Sequence, residues 1–246
     1  MTTARGRRPE KGDPVLDKAF TLLRAFTPER PELNLTELSH RSGLPMSTAR
    51  RMAVRLTRLG ALERSADGRY AIGMRLWEIA SLSPRGHGLR RVALPYMEDL
   101  YEVTHQHVLL AVLDGEDAVL VERISAHRAV DVLYRVGGRL PLTNTGVGLV
   151  LLAHTDSDLQ EQLLEETTEP GRRATVRASL AAIRRDGATI FRPSGDWNVV
   201  SVAAPVRDSG GAVVAAVSIV VPDHSTNPQL LTTAVRTAAR GISRGL

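Results

Sequence analysis

The chain has 246 residues, no cysteine and a formal net charge of +5. That length fits about two domains, and the absence of thiols excludes disulfides, thiolate catalysis and cysteine-ligated zinc. No apolar run approaches the ~20 residues that cross a bilayer, and no hydrophobic signal core opens the chain, so a cytoplasmic protein without a membrane partner is expected.

The charge is unevenly placed. Residues 1–75 hold 15 Lys and Arg against 8 Asp and Glu, a net of +7, whereas residues 76–246 hold 17 against 19, a net of −2. A basic part joined to a near-neutral part is the distribution expected of a DNA reader attached to another domain. Residues 1–12, MTTARGRRPEKG, carry Arg5, Arg7, Arg8 and Lys11 and nothing that builds a core, which predicts a basic arm, either touching DNA or simply solubilising. A first helix is expected over Pro14–Phe26, with Leu16, Ala19, Phe20 and Leu23 on its packing face and Pro28 and Pro31 closing it.

The next stretch is the most informative. Asn34 with Glu37 three residues later has the form of a capping box, so a short helix starts there. Gly43 interrupts it, Leu44-Pro45 turn the chain, and a second helix opens near Ser47 with Ala49, Met52, Ala53, Leu56 and Leu59 as its buried stripe. Its outer face carries Ser47, Thr48, Arg50, Arg51, Arg55 and Arg58. Four arginines fall within nine residues, with no carboxylate at i±3 or i±4. Like charges at that spacing repel, so they make better phosphate partners than an ordinary solvated face. Gly60 ends this helix, and Ala61–Arg64 and Arg69–Ile72 flank Asp67-Gly68, a strong hairpin signal. The unit over residues 13–74 is therefore expected to be a winged helix-turn-helix for double-stranded DNA. Ser47, Thr48 and Arg50 are the candidates for reading bases, Arg51 and Arg55 for phosphates, and Arg69 on the wing for a further DNA contact.

A linker covers residues 75–88, with Leu76, Trp77, Ile79 and Ala80 as a short helix broken at Ser83-Pro84-Arg85-Gly86. Residues 89–246 are expected to form the second domain. A helix over Leu89–Thr104 is to bury Leu94, Met97, Leu100 and Tyr101. Strands are expected over Val108–Leu113, Ala118–Ile124 and Ala129–Val136, followed by an irregular loop at residues 137–142. A mostly apolar helix over Gly146–Ala153 leads to helices Asp156–Glu166 and Ala174–Arg185, separated by Pro170-Gly171. A loop over residues 190–196 precedes strands Val199–Val206 and Ala212–Val221, and a helix over Gln229–Ser243 follows. The fold class is α+β, with helices flanking a mainly antiparallel sheet.

Little in this half suggests catalysis. Gly146-Val147-Gly148 lacks the third glycine of a dinucleotide fingerprint, since Leu151 stands there. It reads either as backbone N–H groups at a helix start, which favour an anion, or as plain packing. Ser201 and Ser218 lie on expected strands, outside any nucleophile elbow. His105 and His107 alternate along one strand approach, but no third ligand stands at a recognisable spacing, so no metal site is expected. Trp197 could stack on a ligand or serve as a lid. No cofactor and no enzyme activity follow from these residues.

Several motifs together resemble a known family. Residues 44–52 (LPMSTARRM), Leu59-Gly60 and residues 67–73 (DGRYAIG) are similar to the DNA-binding half of IclR-type transcriptional regulators. In the second half, residues 136–142 (VGGRLPL), Thr145-Gly146-Val147-Gly148, Leu151-Leu152-Ala153 and Ala203-Ala204-Pro205-Val206 fall in family order. The resemblance implies a winged helix-turn-helix, a linker helix and a GAF-like domain that binds a small effector and mediates pairing into dimers or dimers of dimers. An inverted-repeat operator is expected as well, because one winged helix offers a small interface and tight binding calls for two half-sites; the sequence leaves repression and activation both open. The resemblance places the effector pocket at the loop Thr145, Gly146, Val147 and Gly148 and at Ser201 and Ser218; beside them the residues themselves suggest Leu142 and Trp197 as an apolar wall and a loop holding Phe191, Arg192 and Asp196, with Arg192 either adding positive charge to the pocket or pointing to solvent. Two features depart from the family pattern. Leu149-Val150 stand where Lys-Ala is usual, and the usually acidic loop keeps only Asp196 while adding Arg192. An organic acid is the expected effector; the alternative is an orphan regulator whose sensor binds nothing.

Overall fold

In the computed structural model, which describes residues 15–125, 134–167, 170–193, 198–223 and 228–246, the chain divides after Ser83 into two units with separate cores. The first unit holds α1 (Val15–Leu23), β1 (Glu32–Leu33), α2 (Leu35–Ser42), α3 (Met46–Arg58), β2 (Leu62–Arg64), β3 (Tyr70–Ile72) and α4 (Met74–Ala80). Asn34 caps α2 through a complete capping box: its Oδ1 accepts the Glu37 N–H at 2.9 Å, and the Glu37 carboxylate accepts the Asn34 N–H at 2.8 Å. Gly43 then ends α2 at φ 65°, a backbone state that glycine enters without a Cβ clash.

Helix α3 buries Ala49, Met52 and Ala53 against Leu22, Leu38, Leu62 and Tyr70. The wing is the β2–β3 hairpin around Asp67-Gly68. A third strand, β1, pairs with β3 and was absent from the sequence reading. Two expected packing faces are corrected. On α1 the fully buried residue is Leu22, whereas Leu16 and Phe20 are 71% and 61% exposed. Apolar residues surround most of this nine-residue helix, so periodicity could not choose its face. Leu59 is 69% exposed because it lies just past the last turn of α3, off the buried stripe.

The second unit is built on one six-stranded antiparallel sheet. Its strands are β4 (His107–Asp114), β5 (Asp117–Ile124), β6 (Arg139–Pro141), β7 (Thr189–Phe191), β8 (Val199–Arg207) and β9 (Val213–Pro222), in spatial order β6-β5-β4-β9-β8-β7. Helices α5 (Leu89–Thr104) and α9 (Pro228–Arg244) cover one face, where Val108, Leu110, Val217 and Ile219 meet Met97 and Val235. Helices α6 (Gly146–Leu152), α7 (Ser157–Glu166) and α8 (Pro170–Asp186) belong to the other face, where Leu109, Ala111, Ala203 and Ala216 meet Val150 and Leu180. Because both faces are covered, β4 and β9 read as unbroken apolar runs rather than alternating ones.

Several expected boundaries move. Most of the expected strand over residues 129–136 lies outside the described residues, and residues 134–136 are not strand. The supposed loop over 137–142 instead supplies β6, which pairs with β5, and Ile190-Phe191 belong to β7 rather than to a loop. Pro170 opens α8 instead of separating two helices, since a first-turn residue needs no N–H partner. Pro205 sits inside β8 beyond the end of β7, which stops at the pair Thr189–Ala203, so there β8 is paired only with β9.

Candidate DNA-binding and effector sites

Helix α3 presents Ser47, Arg50, Arg51, Arg55 and Arg58 to solvent and leaves Thr48 half-buried. Among the described residues none of the four arginines has a side-chain hydrogen bond or ion pair. Their charge is therefore uncompensated within the unit and available to phosphate. Arg69 is placed differently. Its guanidinium donates to the Glu32 carbonyl at 3.0 Å and to the Glu37 carboxylate at 3.3 Å, and also approaches the Glu32 carboxylate. It ties the wing to β1 and to the cap of α2. Arg64 lies over the Tyr70 ring at 5.4 Å and braces the same hairpin.

In the second unit a cavity of about 240 Å³ opens between the start of α6 and the sheet. Of the residues singled out from sequence, Thr145, Gly146, Val147, Ser201 and Ser218 line it. Thr145 caps α6: its hydroxyl accepts the Gly148 N–H at 3.1 Å and donates to the Pro141 carbonyl at 2.9 Å. Ser218 on β9 lies across from Leu109 on β4 and Ala203 on β8. Its hydroxyl is fully buried, lines the cavity and has no hydrogen-bond partner. Ser201 is two residues from Ala203 on β8, so both serines face the cavity side of the sheet.

Other residues named from sequence fall elsewhere. Leu142 is packed into the core beside α6 and does not line the cavity. Gly148 sits one position deeper in α6, hard against Thr145 and the Pro141 carbonyl. The Arg192 guanidinium is bound by Asp223 at 2.9 Å and 3.2 Å and lines a smaller neighbouring concavity. Asp196 and Trp197 lie outside the described residues.

Sequence reasoning missed much of the wall. Leu109 and Val220 share a face with Ser218, and Val199 joins Phe191 and Pro193, which the expected 191–196 loop already included, on the β7–β8 side. Strand parity could have found Leu109 and Val220 once the register was known. Tyr134 and Asn144 add polar groups. Burial pushes the Tyr134 phenol above its ordinary value, so it stays a neutral donor, and Asn144 Oδ1 is held by Arg172 at 2.8 Å. No charged side chain lines the cavity among the described residues.

A winged helix-turn-helix with an uncompensated cationic helix, followed by a sheet domain with a polar-floored cavity, defines a DNA-binding regulator with a separate ligand-sized pocket. The IclR helix-turn-helix domain matches residues 15–66, and the bacterial transcriptional regulator IclR C-terminal domain matches residues 83–244. The chain belongs to the IclR family of transcriptional regulators. It is 30% identical to the HTH-type transcriptional regulator KdgR of Escherichia coli (strain K12), over 96% of this chain and 94% of that one. It is 27% identical to the Pca regulon regulatory protein of Pseudomonas putida, over 85% of this chain and 75% of that one. An IclR homolog from Microbacterium hydrocarbonoxydans, crystallised in complex with 4-hydroxybenzoate, is 34% identical and superposes with a TM-score of 0.89. That superposition covers 95% of this chain and 99% of the other. These relatives are named as regulators rather than enzymes, and no described helix is long and apolar enough to cross a membrane.

Proposed function

We propose that this regulator binds an inverted-repeat operator as a homodimer or dimer of dimers, and that a small carboxylic acid in the α6–sheet cavity alters that binding. The observation that carries the ligand half is Ser218, whose buried hydroxyl faces the cavity with no partner. A buried polar group left unpaired is unfavourable, and a ligand oxygen would satisfy it. Ser201, Tyr134 and Asn144 supply further polar contacts around the head group, while Leu109, Phe191, Val199 and Val220 form an apolar wall for an aromatic or aliphatic body. The Microbacterium hydrocarbonoxydans relative carries 4-hydroxybenzoate, an acid of this class.

On the DNA side, Ser47, Thr48 and Arg50 lie in the first turns of α3, where a recognition helix meets base edges, and Arg51 and Arg55 serve phosphates. One winged helix offers a small interface, so tight binding calls for two half-sites and therefore for pairing of chains.

Thermal shift against a panel of aromatic and aliphatic acids, with 4-hydroxybenzoate included, tests the ligand. An acid at ~100 times its Kd should stabilise the protein by ~2.7 kcal/mol. Ser218→Ala and Ser201→Val should each reduce that shift while the ligand-free protein stays folded. A hit undiminished by both places the ligand elsewhere, and a panel without any hit favours an orphan regulator. Sedimentation showing only monomer at micromolar concentration would remove the pairing.

A further inference from the structure

A second concavity in this unit, about 440 Å³, lies between α9 and the end of β8. Arg207, Arg236, Arg240 and Arg244 line it, and no carboxylate does. That is out of keeping with its surroundings, since residues 76–246 together carry a net charge of −2. Helix α9 supplies three of the four at i, i+4 and i+8, on a helix without Asp or Glu. This spacing aligns them along one side, about 6 Å apart.

The arrangement does not support the helix. Like charges at i, i+4 repel, and the favourable effect of the helix dipole reaches only the last turn, where Arg244 sits. Arg236 and Arg240 lie further in. Nearby acids are occupied: Asp186, which faces Arg236, takes two N–H groups of Arg185 at 2.8 Å and 2.7 Å. Asp208 accepts the backbone N–H groups of Gly210 and Ala212. Arg240 and Arg244 have no side-chain hydrogen bond or ion pair among the described residues. Arg207 is fixed from behind, donating to the Gly211 carbonyl at 2.8 Å and to His154 Nε2 at 3.1 Å.

We propose that this groove binds a small, multiply charged phosphorylated ligand, separately from the effector cavity on the opposite face of the sheet. The planar forks of several guanidinium groups match phosphate oxygens pairwise. The volume is that of a small-molecule site rather than of a flat polyanion track.

Titration calorimetry of the full chain with inorganic tripolyphosphate at low ionic strength tests the assignment. Wild type should bind, and the double variant Arg236→Gln/Arg240→Gln should bind roughly tenfold or more weakly, with a shallower salt dependence. Arg240→Lys, which keeps the charge and loses the fork, should fall between. Arg177→Gln, which removes an exposed charge from α8 well away from either site, should leave tripolyphosphate affinity unchanged. Far-UV circular dichroism melts confirm that each variant is folded. Equal affinity in wild type and the α9 double variant, or no binding by wild type, overturns the proposal. So does an α9 variant that weakens random-sequence duplex DNA while tripolyphosphate binding is unaltered, which would make the groove a DNA-backbone contact.

Discussion

Gly146 and Ser201 stand so close that a Cβ built on Gly146 would lie 2.4 Å from the Ser201 hydroxyl oxygen and 3.0 Å from its Cβ. No side chain fits there, so glycine at this position is what lets the start of α6 meet β8. Gly146→Ala should force the two elements apart or turn the Ser201 hydroxyl away. The expected loss is about 1–3 kcal/mol of stability, as for other overpacked sites, together with weaker binding of any acid found by thermal shift. Calorimetric unfolding and ligand titration read the two effects. Wild-type values in both would contradict the packing.

The exposed arginines of α3 should separate by role. Arg50→Ala is expected to weaken operator binding by ~1–3 kcal/mol and to relax sequence preference. Arg51→Ala should weaken binding to all duplexes alike and lower the salt slope by about one unit. Fluorescence anisotropy on operator and scrambled duplexes across a salt series distinguishes them. Full operator discrimination by Arg50→Ala would refute its assignment to bases.

Arg69 should behave as a brace. It and the Asn34 cap both use Glu37, so the wing and the α2 cap share one carboxylate. Asn34→Ala should cost about 1 kcal/mol, and Arg69→Ala a similar amount, about 1 kcal/mol. The double variant should depart from additivity by about 0.5 kcal/mol or more. Urea denaturation measures all three. Strict additivity would mean that the two contacts are independent.

His154 links stability to pH. Burial first, and then the charges of Arg207 and Arg184, hold its imidazole below the ordinary value of 6.5. Its geometry fits only the neutral ring, with Nδ1–H donating to the Val150 carbonyl and Nε2 accepting from Arg207. Between the lowered folded value and 6.5 the unfolded chain binds more protons, so stability falls as pH drops through that window. The loss in urea midpoint between about pH 7.5 and pH 5.5 should be smaller in His154→Gln than in wild type. An identical pH dependence in both would show that His154 does not carry the linkage.

The helix-turn-helix was legible because its signals are local: a capping box, a glycine turn, a stripe of arginines and an Asp-Gly hairpin each lie within a few residues. Most sheet strands and helices were legible as apolar runs for the same reason. The face of α1 was not, because apolar residues surround it and the choice of Leu22 over Leu16 and Phe20 is made by tertiary neighbours. β6 and β7 are three-residue edge strands, too short for a period to show. In the cavity, Thr145, Gly146 and Val147 stood out through a local motif and Ser201 and Ser218 through the family resemblance, whereas Leu109, Val199 and Val220 depend on long-range register, which no window of sequence contains. Arg192 has a partner no local window shows, Asp223, 31 residues away.

Strand β9 runs through the middle of the sheet, and each residue from Ala216 to Val220 has a ladder partner on both sides, Ala111–His107 on β4 and Pro205–Ser201 on β8. A backbone clamped on two edges cannot be re-aimed without breaking both ladders together. Retuning the cavity to a different ligand would therefore be a matter of exchanging side chains at Leu109, Ser201, Ser218 and Val220 over an unmoved frame. Backbone adjustment is left to the rim at Tyr134 and Pro193, where no strand is paired. Hydrogen exchange should show that contrast, with the amides of Ala216–Val220 among the slowest in the chain and that of Tyr134 on the rim among the fastest.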